Sequence, residues 1–192
     1  MAGVGGQGII LASDIMGEAS LAAGYDVKKT DTLGMAQRGG SVVSHVRIAD
    51  QVWSPLIKKG EVDILLAFEK LEAARWSHYL RPGGIAIINN QVAPPLSVSL
   101  GTCQYPSDED IKDILKWQTE RIYFIDGTDW AKQMGDIRAL NMFMLGCASL
   151  LLPIDVYIWK ECMSQRMPSK ILQVNVAAFD QGVKEASDVN LG

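Results

Sequence analysis

Cysteine is scarce: the chain carries Cys103, Cys147 and Cys162, widely spaced and with no C-x-x-C pair. A [4Fe–4S] cluster needs four thiolates, so this chain alone cannot hold one. A sparse, odd set is no disulfide framework either, and it points to a reducing, cytoplasmic compartment. No apolar run approaches the ~20 residues of a membrane span. No basic segment followed by an apolar core marks a secretory leader, so neither membrane nor export is expected. Basic charge is also short: 18 Lys and Arg against 22 Asp and Glu leave a net charge of −4. That balance lacks the electrostatic footprint of a nucleic-acid binder. There are only two histidines, and no His, Cys, Asp and Glu cluster has metal-ligand spacing.

What is present is ordinary for a globular protein. At 192 residues with 48% hydrophobic and 21% charged residues, the chain has the size of one domain and buries roughly 70% of its unfolded surface. The expected boundaries are 1–186 for that domain and 187–192 for a frayed tail. Helical spacing of apolar residues predicts a helix over 9–23, stopped at Gly24. Short strands are expected at 27–30 and 41–48, and 31–40 reads as a glycine-rich loop. The continuous apolar runs at 62–68 and 85–89 read as strands covered on both faces. A helix over 69–79 and an R-P-G-G turn at 81–84 separate them, which makes a βαβ unit with parallel strands. Ser107 caps a helix over 108–117, a strand follows at 122–125, and the last third is helical, including an apolar helix over 138–152. The expected fold class is α/β, a three-layer α/β/α sandwich on a mostly parallel, mixed sheet of Rossmann-like character.

Residues 3–8, GVGGQG, match G-x-G-x-x-G. Glycines allow a tight turn and close backbone approach, and a following helix N-terminus favours an anion. Asp26 lies near the ~20-residue distance of a ribose-binding acid, yet it precedes the second strand instead of ending it. The motif therefore reads either as an NAD or FAD fingerprint or as a plain strand-to-helix turn. Only two residues precede it, so the strand that normally leads into such a loop is expected to be missing.

Longer segments narrow the reading. They are TDTLGMAQRGGS at 30–41, WSPLI at 53–57, LRPGG at 80–84, PPLSVSLG at 94–101 and N-x-x-A-F-x-x-G at 175–182. With GVGGQG they make the chain resemble the gamma-type subunits of the 2-oxoacid:ferredoxin oxidoreductase family over most of its length. The G-M-A-Q-R-G-G form points to the small (beta) subunit of the indolepyruvate branch. The resemblance implies oxidative decarboxylation of a 2-oxoacid with coenzyme A, giving an acyl-CoA, carbon dioxide and two reduced ferredoxins. It places thiamine diphosphate, magnesium and iron–sulfur clusters on a large (alpha) partner subunit, and it implies that this chain is inactive alone. The absence of a G-D-G…N-N segment and the few cysteines agree with that division.

Within this frame the candidate site residues are Gly3, Gly5, Gly6, Gln7 and Gly8 of the first loop, and Met35, Gln37, Arg38, Gly39, Gly40 and Ser41 of the second. Arg38 offers a planar fork of donors to a 2-oxoacid carboxylate, a coenzyme A phosphate or an acidic group of the partner; its bland reading is a structural ion pair, for example to Asp31. Met35 lines an indole pocket or fills a core gap. His45 reads as a sheet histidine more readily than a proton shuttle, and His78 as a surface residue. Trp53 is an interface anchor or part of this chain's own core, and Cys147 a small buried hydrophobe. Two other classes remain open: a free-standing dinucleotide-binding enzyme, and a binding module that kept the fold without the chemistry.

Overall fold

The computed structural model describes residues 1–33 and 39–189. Its elements in chain order are β1 (Ala2–Val4), α1 (Ile9–Ala22), β2 (Asp26–Leu33), β3 (Ser41–Ala49), β4 (Val62–Ala67), α2 (Lys70–Trp76), β5 (Leu80–Asn89), α3 (Leu96–Ser99), α4 (Asp108–Lys116), β6 (Ile122–Ile125), α5 (Gly127–Gln133), α6 (Leu140–Ser149), α7 (Val156–Arg166) and α8 (Ser169–Asp188). The strands form one mixed sheet in the order β2-β3-β1-β4-β5-β6. β1 pairs antiparallel with β3 and parallel with β4, and β4–β5 and β5–β6 are parallel. The α/β class and mixed sheet are as expected.

Two compact units share this chain: Met1–Ile9, Asp31–Val43 and Ile57–Asp126 make one, and Ile10–Thr30, Ser44–Leu56 and Gly127–Gly192 the other. In the first, one apolar cluster joins Ala2 of β1, Val43 of β3, Leu65 and Ala67 of β4, Ala86 and Ile88 of β5, Ala73 and Ala74 of α2, and Ile111 and Leu115 of α4. Each large aliphatic side chain there is worth roughly 1.5–3 kcal/mol of transfer free energy. Two capping carboxylates hold the helices. Ser107 and Asp110 form a reciprocal capping box at the start of α4. Glu69, nearly fully buried, caps α2 by accepting from Glu72 N at 2.9 Å, and it also accepts from Ala93 N at 3.1 Å and from the Tyr105 hydroxyl. Burial, then the hydrogen bond to Glu69, pushes the Tyr105 phenol well above its usual range. The buried Lys70 ammonium reaches Asp108 at 2.6 Å.

In the second unit, α1 lies on β2, with Gly17 facing Val27. Asp14 of α1 pairs with Lys29 of β2 and, at 2.5 Å, with Arg166 at the end of α7; Arg166 also pairs with Glu18. α6 is buried on all sides, which explains its largely apolar sequence. It packs against α8 at two glycines, discussed below. Trp159 of α7 lies 6.0 Å from the Phe179 ring of α8.

Several expectations need correction. The strand leading into the glycine loop is present as Ala2–Val4, so Gly3 is a strand residue and not the first turn residue. β2 runs from Asp26 to Leu33, past the short strand expected, and takes in the β-branched Thr30 and Thr32. Residues 81–84 do not separate helix from strand. They loop out of β5, which advances from Leu80 to Ile85 while β4 advances from Val62 to Ile64. Residues 77–79 form a 3-10 turn, not the last turn of α2. α8 continues to Asp188, into the segment expected to fray.

Candidate functional site

The two glycine motifs meet at one end of the sheet. After Val4 the chain turns through residues 5–8 into α1. Gly6 and Gly8 have φ of +103° and +75°, values that an L side chain adopts only with strain. Gly3 is needed for space instead: a Cβ there would lie 2.6 Å from Gln7 Oε1 and 2.7 Å from Ile9 Cδ1. The Gln7 side chain closes the turn. Its Oε1 accepts from Val4 N at 2.8 Å, and its Nε2 donates to Phe68 O at 3.1 Å, just beyond β4. Asn89 Nδ2 donates to the same carbonyl at 3.0 Å.

The second motif returns to the first through its backbone. Gly5 N donates to Gly40 O at 2.8 Å, and Gly39 N donates to Gly5 O at 3.4 Å. These bonds extend the antiparallel register of β1 and β3 past its last strand pair, Val4 with Ser41. The place has topological meaning. From β1 the chain goes on to β2 and β3 on one side of the sheet, and from β4 to β5 on the other. Ligands of open α/β sheets bind outside the carboxyl ends of strands at such a reversal.

Ser41 opens β3, and its hydroxyl donates to Glu72 Oε2 of α2. Trp76 Nε1 lies 3.2 Å from both Ser41 Oγ and Glu72 Oε2, and Arg75 Nε donates to Glu72 Oε1 at 3.1 Å. The Glu72 side chain is 5% exposed and that of Arg75 is 50% exposed. Sequence reasoning missed Glu72 because a glutamate on a short helix beside an arginine reads as a solvated pair. Its one weak signal is the Trp76 spacing, which puts an indole N–H on the same face.

The structure thus gathers Gly3, Gly5, Gly6, Gln7, Gly8, Gly39, Gly40 and Ser41. The amide of Gln7 and the hydroxyl of Ser41 are spent on the protein itself. Met35, Gln37 and Arg38 lie outside the described residues. Asp26 opens β2 and is occupied: it accepts from Lys28 Nζ and from Val52 N, each at 2.8 Å. The Lys28 hydrogen bond foremost holds its carboxyl below the usual range. His45 is half-buried, and desolvation holds its imidazole below the usual range. His78 is exposed and stacks near Trp76 at 6.3 Å. Trp53 is 85% exposed, which removes the own-core reading. Cys147 is buried, and desolvation pushes its thiol well up; Cys162 is buried and Cys103 exposed. Among the described residues no group of three His, Cys, Asp or Glu side chains is placed to hold a metal ion, and no helix is long and apolar enough to cross a membrane.

The profile of the pyruvate ferredoxin/flavodoxin oxidoreductase family matches residues 1–185. The chain belongs to this family. It is 37% identical over 190 residues to the indolepyruvate oxidoreductase subunit IorB of Pyrococcus horikoshii, covering 97% of this chain and 94% of the relative. It is 36% identical to the Archaeoglobus fulgidus subunit of the same name, covering 96% and 92%. Identity falls to 27% with the 2-oxoglutarate synthase subunit KorC of Methanothermobacter thermautotrophicus, covering 95% and 90%. The gamma subunit of a keto/oxoacid ferredoxin oxidoreductase from Geobacter sulfurreducens has the same fold, with a TM-score of 0.70 at 23% identity and coverage of 97% and 96%. The 2-oxoglutarate:ferredoxin oxidoreductase of Magnetococcus marinus, solved with 2-oxoglutarate, coenzyme A and succinyl-CoA bound, matches with a TM-score of 0.73 at 25% identity. There 97% of this chain corresponds to 30% of a larger chain. The chain is thus a subunit of a 2-oxoacid:ferredoxin oxidoreductase, as its motifs imply.

Proposed function

We propose that this chain is the non-cofactor-carrying small subunit of a thiamine-diphosphate-dependent oxidoreductase acting on arylpyruvates, indolepyruvate foremost, and that its paired glycine motifs receive an anionic group of the reaction. The observation that carries the reading is the pair of main-chain bonds joining Gly5 to Gly39 and Gly40 at the strand-order reversal. It brings Gly5 of GVGGQG together with Gly39 and Gly40 at one end of the sheet, beside the start of α1. Backbone amides there suit a phosphate of coenzyme A or the carboxylate of the 2-oxoacid. Arg38, next to Gly39 in sequence, adds a bidentate donor for the same anion. The Magnetococcus enzyme, which holds coenzyme A and keeps the matching segment inside a larger chain, supports a site shared with a larger partner.

Thiamine diphosphate on that partner would supply the chemistry of decarboxylation, and iron–sulfur clusters there would pass electrons to ferredoxin. This chain's cysteines do not fit a cluster, since two are buried singly in α6 and α7 and the third is exposed. Its part is to bind and orient, and alone it is inactive. The indolepyruvate preference rests on the identity to the IorB subunits.

The test is coexpression with the large subunit, followed by anaerobic, coenzyme-A-dependent viologen reduction with indolepyruvate. Activity is expected only when both chains are present, and Arg38→Ala lowers kcat/KM by about ten-fold or more, through loss of its charge-assisted hydrogen bonds. Full activity of the large subunit alone, or tight NAD or FAD binding by this chain, refutes the reading.

A further inference from the structure

Buried carboxylates are costly unless they are paired and hydrogen-bonded, so one kept in place invites the question of what its bonds hold. Glu72 is such a group, and it lies where the two glycine motifs join. Its Oε2 takes the Ser41 hydroxyl and faces the Trp76 indole N–H at 3.2 Å, while Oε1 takes Arg75 Nε at 3.1 Å. A hydrophobic side chain of similar size would fill the space. A carboxylate, which only accepts, makes the Ser41 hydroxyl point its hydrogen at Glu72. Ser41 directly follows Gly40, whose carbonyl receives the Gly5 amide, and Ser41 is itself paired with Val4. One covalent step separates the carboxylate's partner from the bond that joins the motifs.

We propose that Glu72 is a positioning residue: acting through Ser41, and braced by Trp76, it sets the Gly39–Gly40 turn against the glycine loop. Its functional half rests on the site reading given above. Glu69 provides the contrast. It is equally buried on the adjoining turn, but its carboxylate holds Ala93 and Tyr105 and does not reach Ser41.

The experiment uses the full chain alone and assembled with its large subunit, in the variants Glu72→Gln, Ser41→Ala, Ser41→Thr and Glu69→Gln. Amide exchange is read at Gly5 in the full chain. Glu72→Gln and Ser41→Ala are expected to speed it about ten-fold more than Glu69→Gln does, and Ser41→Thr, which keeps the hydroxyl, stays near wild type. In the complex, Glu72→Gln and Ser41→Ala raise the KM for coenzyme A or for the 2-oxoacid about ten-fold with kcat within two-fold. Their double variant is no worse than the singles. Glu69→Gln lowers the melting temperature without that split. Gly5 exchange that does not separate Glu72→Gln from Glu69→Gln overturns the proposal. Faster exchange in an active complex with both KM values unmoved also overturns it, because the turn then positions no ligand. If the wild-type complex does not need this chain, the site reading fails instead, while the exchange result still decides whether Glu72 sets the turn.

Discussion

Gly146→Ala sets helix propensity against packing, and the two predict opposite signs. Propensity alone says that alanine in the middle of α6 stabilises by about 1 kcal/mol. The structure says otherwise. A Cβ at Gly146 would sit 2.1 Å from the Phe179 carbonyl oxygen of α8, and one at Gly182 would sit 2.0 Å from the Phe143 carbonyl oxygen of α6. Each helix carries F-x-x-G, and each glycine receives the carbonyl of the other helix's phenylalanine. These oxygens are backbone, so no rotamer change relieves the clash. The helices must separate by about 1 Å, and a gap of that size forfeits roughly a quarter to a half of each dispersion well along the seam. Overpacking usually costs about 1–3 kcal/mol. With two rigid backbones as the only yielding parts, we expect about 3–5 kcal/mol for Gly146→Ala and the same for Gly182→Ala. At roughly 2–4 °C per kcal/mol for a chain of this size, that lowers the melting temperature by about 10 °C. The double variant should cost clearly less than the sum, because one separation relieves both clashes. Thermal and urea unfolding of the full chain, followed by circular dichroism, provide the check. A single variant within about 1 kcal/mol of wild type, or strictly additive losses, would refute the close crossing.

Other outcomes follow from the same geometry. Gly6→Ala meets open space but a φ of +103°, so it costs about 1–2 kcal/mol of strain in urea titrations. Gly3→Ala displaces the Gln7 clamp, and proteolysis near residues 5–8 should quicken for it and not for Gly6→Ala. Asp108 is held below its ordinary 3.8 by Lys70. A depressed carboxylate stabilises the fold above its unfolded value and loses that contribution as pH falls below it. Asp108→Asn therefore lowers urea stability at pH 7, and its deficit against wild type shrinks as pH drops below 3.8. Iodoacetamide at pH 8 should label Cys103 in the native chain, whereas Cys147 and Cys162 appear in mass spectra only after denaturation.

The sequence was most legible where one physical cause acts over several neighbours. The apolar runs of β4 and β5, the Ser107 cap and the buried α6 all follow from local patterns, and the structure keeps them. The R-P-G-G segment misled because its turn chemistry is real, yet it loops out within a strand instead of ending one. β1 was hidden because three residues are too few to show a period. The C-terminal N-x-x-A-F-x-x-G carried the family resemblance without its reason, which is the contact of Gly182 with α6. Glu72 was invisible because burial of a charge is settled by long-range packing, here of α2 against the start of β3.

The way the two motifs are joined bears on how such subunits can differ in substrate. The Gly5–Gly39–Gly40 contacts are main chain to main chain. The clamps that flank them run from Gln7 Nε2 to Phe68 O and from the Ser41 hydroxyl to Glu72. Both partners of each named bond lie outside residues 35–37, so a substitution there removes no donor or acceptor from them. If the proposed site reading holds, selectivity among 2-oxoacids is set in residues 35–37 and these bonds are kept. Exchanging residues 35–37 for those of a 2-oxoglutarate relative should move the KM ratio between indolepyruvate and 2-oxoglutarate by about ten-fold or more, with unfolding stability within about 1 kcal/mol of wild type. A swap that abolishes stability without moving the ratio would put the segment among the anchor's own supports and end the argument.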